Sequence, residues 1–477
     1  MNDNLLHLYH KLPGPARSVA ASLRGYGLKR WRYGHETDRL VEAARERESW
    51  SEAEWRSWRE ERLAFVLHRA ATRVPYYAQQ WAQRRLRGDN ASWTRLENWP
   101  ILEKEPVRKN SKAFVADDCT LSRMFRDHTS GTEGKPLDLW QSKDTVRSWY
   151  ALFEARVRQW YGVSRHDRWA ILGGQVVTPV SQQRPPFWVW NAALKQLYMS
   201  SYHLAPHLIP RYLEALGRYR VRYLLGYTSS LYVLAQEALR LKFRDLQLAV
   251  AITNAEPVLA HQRSVIAEAF QCPVQETYGM AEIAFAASEC SVGGLHTWPE
   301  AGFAEVDPDH ETGQGGKSGD LICTSLLNCD MPLIRYRVGD RVTLPATQTP
   351  CGCGRGLPLM TSIEGRADDI LYTSDGRRIG RLDPVFKSDL AIREAQIIQE
   401  ALGVVRLRFV PAPEYTPQDG RAIAARIKER MGNVDVILEA VTEIARTRNG
   451  KFRAVICNLP PEQVMYLREQ RSVAVGR

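Results

Sequence analysis

The sequence predicts an α/β protein: a large domain built on a mainly parallel sheet, followed by a small α+β domain. Two patterns carry this expectation. Between residues 120 and 300, short apolar runs alternate with helical stretches, and beyond residue 365 a strand, a helix and a second strand end the chain. Ala170-Ile171-Leu172 precedes Gly173-Gly174. Tyr223-Leu224-Leu225 precedes a helix from near Ser229, and the run 248–253 precedes a helix over 257–270. Buried strands interleaved with helices of about ten to fifteen residues give a parallel sheet covered on both faces.

The remaining elements follow the same logic. Residues 40–115 read as helical, with Trp50, Trp55, Trp58, Leu63, Phe65, Val66 and Leu67 as apolar faces, punctuated by Pro75, Pro100 and Pro106. Strands are expected over 123–128, 137–140 and 320–326. In the last unit they are expected over 404–410 and 434–438, on either side of a helix over 421–431. The expected divisions are a helical part at 1–115, a core at 116–365 and a C-terminal domain at 366–477.

The 477 residues are 44% hydrophobic and 25% charged, the usage of an ordinary folded, soluble chain. Lys and Arg number 65 against 54 acidic residues, a net +11. Such a charge suits nucleic acid, anionic lipid or a polyanionic small molecule such as a nucleotide, but the excess is spread thinly and no nucleic-acid role is expected. No apolar run reaches the ~18 residues that cross a bilayer, so no transmembrane segment is expected. The opening Met1-Asn2-Asp3-Asn4 lacks a secretory pattern, and a cytoplasmic location follows as the expectation. The basic stretch from Arg24 to Arg32 opens a further reading, a peripheral membrane protein that sediments with anionic vesicles in a salt-dependent way. Oligomeric state is not legible.

Between the strands at 123–128 and 137–140 lies Thr129-Ser130-Gly131-Thr132-Glu133-Gly134-Lys135-Pro136. The spacing is wrong for a Walker loop, but three hydroxyls, glycine N–H groups and one cation suit a polyphosphate. Downstream come Thr253-Asn254-Ala255-Glu256-Pro257, Tyr278-Gly279-Met280-Ala281-Glu282, Tyr336-Arg337-Val338-Gly339-Asp340, Gly365-Arg366-Ala367-Asp368-Asp369 and Gly450-Lys451-Phe452-Arg453. In this order the motifs resemble those of the adenylate-forming superfamily, specifically its phenylacetate-CoA ligase-like branch with relatives in capsule and polysaccharide synthesis.

That resemblance implies a large multi-sheet adenylate-forming N-terminal domain and a small mobile α+β C-terminal domain. It implies that Thr129, Ser130, Gly131, Thr132, Gly134 and Lys135 hold the ATP phosphates and that Ala255 and Glu256 pack against adenine. Tyr278, followed by Gly279, stacks on the base, and Glu282 holds Mg2+. Asp340 accepts hydrogen bonds from the ribose hydroxyls, and Arg366 approaches ribose or phosphate. Asp368 is the hinge, and Lys451 bridges the incoming carboxylate and the α-phosphate. The implied reaction activates a small-molecule carboxylate as acyl-AMP and transfers the acyl group to CoA. In capsule-type relatives the acceptor could instead be an amine, giving an amide. Glu133 and Ala281 depart from the family's threonines. Losing one charge-assisted hydrogen bond costs about 1.5–3 kcal/mol, which motivates a rival reading, a non-catalytic nucleotide-binding scaffold. The carboxylate pocket is expected between the helix after Tyr227-Thr228-Ser229-Ser230 and the strand ending in Tyr278, with Trp190, Gly173, Gly174 and Tyr198 as weaker candidates for its wall.

Eight cysteines in so long a chain do not read as a disulfide framework. Cys290 and His296, spaced Cys-x5-His, and Cys351 and Cys353, spaced Cys-x-Cys, supply a closed set of three thiols and one imidazole among glycines, as a structural Zn2+ site requires. Members of the resembled branch carry a similar cluster. Cys119, Cys272, Cys323, Cys329 and Cys457 read as packing residues.

Overall fold

The computed structural model describes residues 8–129, 137–179, 181–205, 207–311, 316–366, 371–373, 378–379, 391–446, 452–460 and 462–464. The chain divides into two compact units. One is Met1–Val258, Gln262–Val338 and Val342–Ile363; the other is Leu259–His261, Gly339–Arg341 and Glu364–Arg477.

The first unit opens with helices α1 (Gly14–Arg32), α2 (His35–Glu46), α3 (Glu52–Arg73), α4 (Pro75–Leu86) and α5 (Lys104–Lys109). Ser51 and Glu54 form a capping box that starts α3, and Pro75 sits in the first turn of α4, where its missing N–H is no loss. The helical region expected over 40–115 is interrupted. Residues 87–103 hold only a short 3-10 turn at Leu96–Asn98, because Gly88 at φ +78° ends α4. Arg84 then ties the loop together through Asp89 at 2.6 Å and the Asn98 carbonyl at 2.7 Å.

Strands β1 (Phe125–His128) and β2 (Asp138–Gln141) pair as a hairpin ahead of α6 (Lys143–Phe153). Next come β3 (Trp169–Gly173), β4 (Trp188–Asn191), β5 (Gln196–Ser200), α7 (Ile209–Arg218), β6 (Tyr223–Tyr227), α8 (Thr228–Arg240), β7 (Val250–Asn254), α9 (Ala260–Phe270) and β8 (Val274–Gly279). The later strands are β9 (Ala286–Glu289), β10 (Leu295–Thr297), β11 (Gly302–Glu311), β12 (Lys317–Ser325), β13 (Tyr336–Leu344), β14 (Leu359–Met360) and β15 (Ser362–Arg366). One expected boundary moves. The helix expected from 257 starts at Ala260, and the Val258 N–H ahead of it donates to Glu276 at 3.1 Å. Strand β13 starts at Tyr336, directly after Arg335, which adopts φ +48°.

The large sheet has the order β14-β10-β9-β8-β7-β6-β3-β5-β4. Its centre, β5, β3, β6, β7 and β8, is parallel; β4, β9, β10 and β14 are antiparallel additions at the edges. The expectation of a mainly parallel sheet therefore holds for the centre only. Alternation along β6 and β7 sends Leu224 and Ala251 into one core with α7, α8 and α9, and Tyr223, Leu225, Val250 and Ile252 into another with α2 and α6. A second sheet, β11-β12-β13-β15, shares a core with α3 and α4 through Tyr77, Trp81, Leu321, Cys323 and Tyr336.

Past α6 the helix loosens into a π-turn over Glu154–Arg158, all of it buried. Arg156 makes a bidentate pair with Glu300, both bonds 2.6 Å, and Arg47 reaches the same carboxylate at 2.9 Å. Burial pushes the Glu300 carboxyl up, but the two guanidiniums more than offset it and hold it below the ordinary value. A depressed carboxyl contributes stability that is complete above roughly pH 5 and lost as pH falls through its folded-state pKa. Glu300→Gln leaves two guanidiniums without their anion. It is expected to destabilise the unit by about 3–5 kcal/mol at neutral pH in denaturant unfolding. The difference should shrink in acid.

The second unit contains the short pair β16 (Leu371–Tyr372) and β17 (Arg378–Ile379). Its main sheet comprises β18 (Ile392–Ala401), β19 (Val404–Pro411), β20 (Asp435–Ala440) and β21 (Val455–Cys457), in the order β20-β19-β18-β21. Helix α10 (Pro417–Met431) packs Ile423, Ile427 and Met431 against Ile397, Val405 and Leu407. It starts four residues before the expected 421, because Thr416 and Asp419 form a capping box around Pro417.

Candidate active site

Parallel strands end together. Tyr227 pairs with Asn254, and Thr253 with Glu276, so the carboxyl ends of β6, β7 and β8 form one edge, the place where open α/β sheets take ligands. Ala255, just beyond β7, has φ +62°, which turns the chain sharply there. The Asn254 Oδ1 is buried and has no hydrogen-bond partner among the described residues. Glu256 is committed locally: its carboxylate accepts from Ser229 N at 2.7 Å and Ser229 Oγ at 3.1 Å, capping α8, which has no side-chain cap of its own.

Tyr278 is half-buried near the end of β8, its ring 6.0 Å from Phe285, and Gly279 is exposed beside it. A side chain at Gly279 would meet Trp149 at 3.6 Å, an ordinary contact. In the following turn Glu282 is buried, and its Oε1 accepts from the Tyr336 hydroxyl at 3.1 Å at the start of β13. Gln141 on β2 donates to the Ala281 carbonyl at 3.1 Å, tying the β1–β2 hairpin to the same turn. Thr129 closes the mouth of that hairpin: its N–H donates to Leu137 O at 3.0 Å, and its Oγ1 accepts from Leu137 N at 2.9 Å. The Thr129 hydroxyl keeps its own proton to donate.

Phenols gather near the loop after β3. Tyr202 donates to Gly174 O at 2.7 Å, and a methyl at Gly173 would stand 3.2 Å from the Tyr198 hydroxyl. Burial pushes the Tyr198 and Tyr227 phenols up, so both stay neutral donors. Trp190 is elsewhere. It pairs with Leu197 while Tyr198 pairs with Val189, so the two rings leave opposite faces of the sheet, and Trp190 stacks on Tyr219 at 5.0 Å.

The four cysteine and histidine ligand atoms at Cys290, His296, Cys351 and Cys353 lie within 4.8 Å of one another. Cys290 Sγ is 3.7 Å from Cys351 Sγ, and Cys353 Sγ is 3.3 Å from His296 Nε2. Two thiolates on one tetrahedral zinc at ~2.3 Å stand about 3.8 Å apart, whereas a disulfide would need ~2.05 Å. The donor set therefore fits the ion. His296 Nδ1 lies 2.9 Å from Leu357 O, which leaves Nε2 as the nitrogen facing the cysteines. Burial pushes the Cys290 thiol up to about 11. At Cys353 burial is outweighed by hydrogen bonds from Arg355, and the thiol falls below its ordinary value. Gly294 is obligatory, since a Cβ there would stand 2.7 Å from Cys351 Sγ.

Residues 371–458 match the CapK C-terminal domain family. Protein CapK of Staphylococcus aureus is 25% identical over 394 residues, 80% of this chain and 85% of that one. The phenylacetate-coenzyme A ligase of Thermus thermophilus is 29% identical over 248 residues, 44% of this chain and 54% of that one. A crystal structure of 2-hydroxyisobutyryl-CoA ligase with 2-HIB-AMP, in the postadenylation state, superimposes with a TM-score of 0.66 at 22% identity, covering 90% of this chain and 94% of that one. At that identity it speaks for the fold.

The chain is similar to the phenylacetate-CoA ligase-like branch of the adenylate-forming enzymes and to Protein CapK, and it shares the fold of a CoA ligase.

Among the described residues Thr129, Ala255, Glu256, Tyr278, Gly279 and Glu282 all belong to the first unit. Asp340 lies on β13, four residues beyond Tyr336, and Arg366 ends β15. Ser130, Gly131, Thr132, Gly134, Lys135, Asp368 and Lys451 lie outside the described residues, as does Glu133. Sequence reasoning missed Asn254, Tyr336 and Leu357. Asn254 and Tyr336 sit inside motifs already singled out, so position was available but orientation was not. Leu357 acts through its backbone carbonyl, which no side-chain pattern announces.

Proposed function

We propose that the enzyme condenses a small-molecule carboxylate with ATP to acyl-AMP and then transfers the acyl group to CoA. In the first step a carboxylate oxygen attacks the α-phosphorus and the bond to pyrophosphate breaks. In the second the thiol sulfur takes the acyl carbon and AMP leaves. The observation that supports this best is the buried Glu282. Tyr336 holds it, and the turn that carries it is tied to the Thr129 hairpin at the carboxyl edge of the parallel sheet.

In this reading Tyr278 stacks on adenine and Asn254 Oδ1 accepts from its amino group. Asp340 accepts from the ribose hydroxyls, with Arg366 close to ribose or phosphate. The loop beginning at Thr129 (Ser130, Gly131, Thr132, Gly134, Lys135) donates to the phosphates. Glu282 would hold Mg2+, which supplies charge neutralisation at the phosphates. Lys451 meets the charge that builds between carboxylate and α-phosphate, and leaves with the C-terminal domain about Asp368 for the second step. The acid binds between the start of α8 and the end of β8, with the Tyr198, Tyr202 and Tyr227 hydroxyls as its polar wall. Cys290, His296, Cys351 and Cys353 would hold a structural Zn2+.

An amine acceptor, giving an amide, is the second reading, favoured by the likeness of the C-terminal unit to the CapK C-terminal domain. Exchange of labelled pyrophosphate into ATP, run against uronic, aryl and amino acids, tests the first step. Mass spectrometry of products formed with CoA or amines identifies the acceptor. Acid-dependent exchange is expected. Its absence with the whole panel, while ATP still binds, would sink the enzyme reading in favour of a scaffold.

A further inference from the structure

Helix α1 is packed inside out. Its polar and small residues face the protein. Ser18 Oγ accepts from Trp190 N at 3.2 Å and Ser22 Oγ from Ala192 N at 3.0 Å, so two serines satisfy the free edge of β4. Gly25 lies so close that a Cβ would stand 2.2 Å from the Asn191 amide, and Arg17 is buried on Gln182 at 2.7 Å. Three large apolar residues point the other way: Val19 is 59% exposed, Leu23 68% and Tyr26 59%. With the exposed Arg30 they stand at i, i+4, i+7 and i+11, one straight row along the outer face.

A soluble helix buries its apolar row; this one presents it. Charge identifies what could cover the row. The sequence from Asn4 to His35 contains no Asp or Glu, and Arg24, Lys29 and Arg30 are exposed along the outer side of α1. A second copy of the chain packed on this face would set those cations against their own images. A surface of anionic headgroups over an acyl boundary meets both features, taking Val19, Leu23 and Tyr26 into the boundary and the cations into the headgroups. Trp31 stacked on Phe125 at 5.0 Å and Arg32 over the Tyr150 ring at 3.9 Å hold the helix against the enzyme body. No helix among the described residues is long and apolar enough to cross a membrane, so this contact would be interfacial.

We propose that α1 docks the protein on an anionic lipid surface through Val19, Leu23 and Tyr26, flanked by Arg24, Lys29 and Arg30.

The test is sedimentation of the full chain with vesicles of phosphatidylglycerol and phosphatidylcholine in equal parts, and with phosphatidylcholine alone. The expected result is binding to the mixed vesicles at least about tenfold tighter than to the neutral ones, falling about tenfold as salt rises severalfold. The double variant Leu23→Glu, Tyr26→Glu and the triple variant Arg24→Ala, Lys29→Ala, Arg30→Ala should each lose that binding. Both should retain the wild-type thermal transition and pyrophosphate exchange, since all five positions are exposed and outside the nucleotide site. Any of three outcomes overturns the proposal: no vesicle binding by the wild type, equal binding to neutral vesicles, or binding unchanged in both folded variants. A dimer that the Leu23/Tyr26 variant dissociates, without vesicle binding, would assign the face to a second copy instead.

Discussion

Lys451→Ala is expected to lower carboxylate-dependent pyrophosphate exchange by about a hundred- to a thousandfold, with ATP affinity changed only a few-fold. In the proposed first step the carboxylate approaches a phosphate that is already negative, so the transition state gathers charge on both partners at once. A single ammonium placed between them is worth most when that charge peaks and little in the ground state. Lys451→Arg should recover little, because a planar guanidinium cannot occupy the same point between two oxyanions. Acyl transfer from a supplied acyl-adenylate should keep a near wild-type rate, since the proposed second step proceeds with the lysine withdrawn. Loss of both half-reactions together would point to a structural defect, and loss of neither would remove Lys451 from the mechanism.

The cysteine–histidine cluster should have the second largest effect. Its four candidate ligands come from two stretches, 290–296 and 351–353, and the Sγ–Sγ spacing of 3.7 Å fits two thiolates sharing one ion. One zinc per chain is expected by elemental analysis of protein purified without added metal. Cys351→Ser should lower that content below half and reduce stability by several kcal/mol, about 3 or more, visible as a drop in the thermal transition of the first unit. A strong chelator should reproduce the drop in the wild type and leave the variant where it is. Full stability in metal-free protein would contradict a structural ion.

Much of the architecture was legible because it is written locally. Ala170 to Leu172 and Tyr223 to Leu225 are apolar runs that the chain uses as β3 and β6, and the residues spaced Cys-x5-His and Cys-x-Cys meet in one place. What stayed hidden depends on partners distant in sequence. Glu256 caps a helix whose first turn is 27 residues away, and Glu300 is paired with Arg156 and Arg47, 144 and 253 residues upstream. Tyr336 reads as part of a strand motif, yet its hydroxyl is what fixes Glu282, 54 residues earlier. The outward row on α1 was also hidden, because a sequence shows that a helix has an apolar stripe but not which way it faces. The basic flank alone carried the membrane reading; the inward serines make it an argument about geometry.

The most direct test of the account is a crystal structure of the protein with ATP bound. The base is expected against Tyr278 and beside Asn254, at the carboxyl ends of β7 and β8, with the triphosphate running toward Glu282 and the loop that Thr129 opens. Density for the nucleotide at any other place on the molecule, or saturating ATP that leaves this edge of the sheet empty, would contradict it.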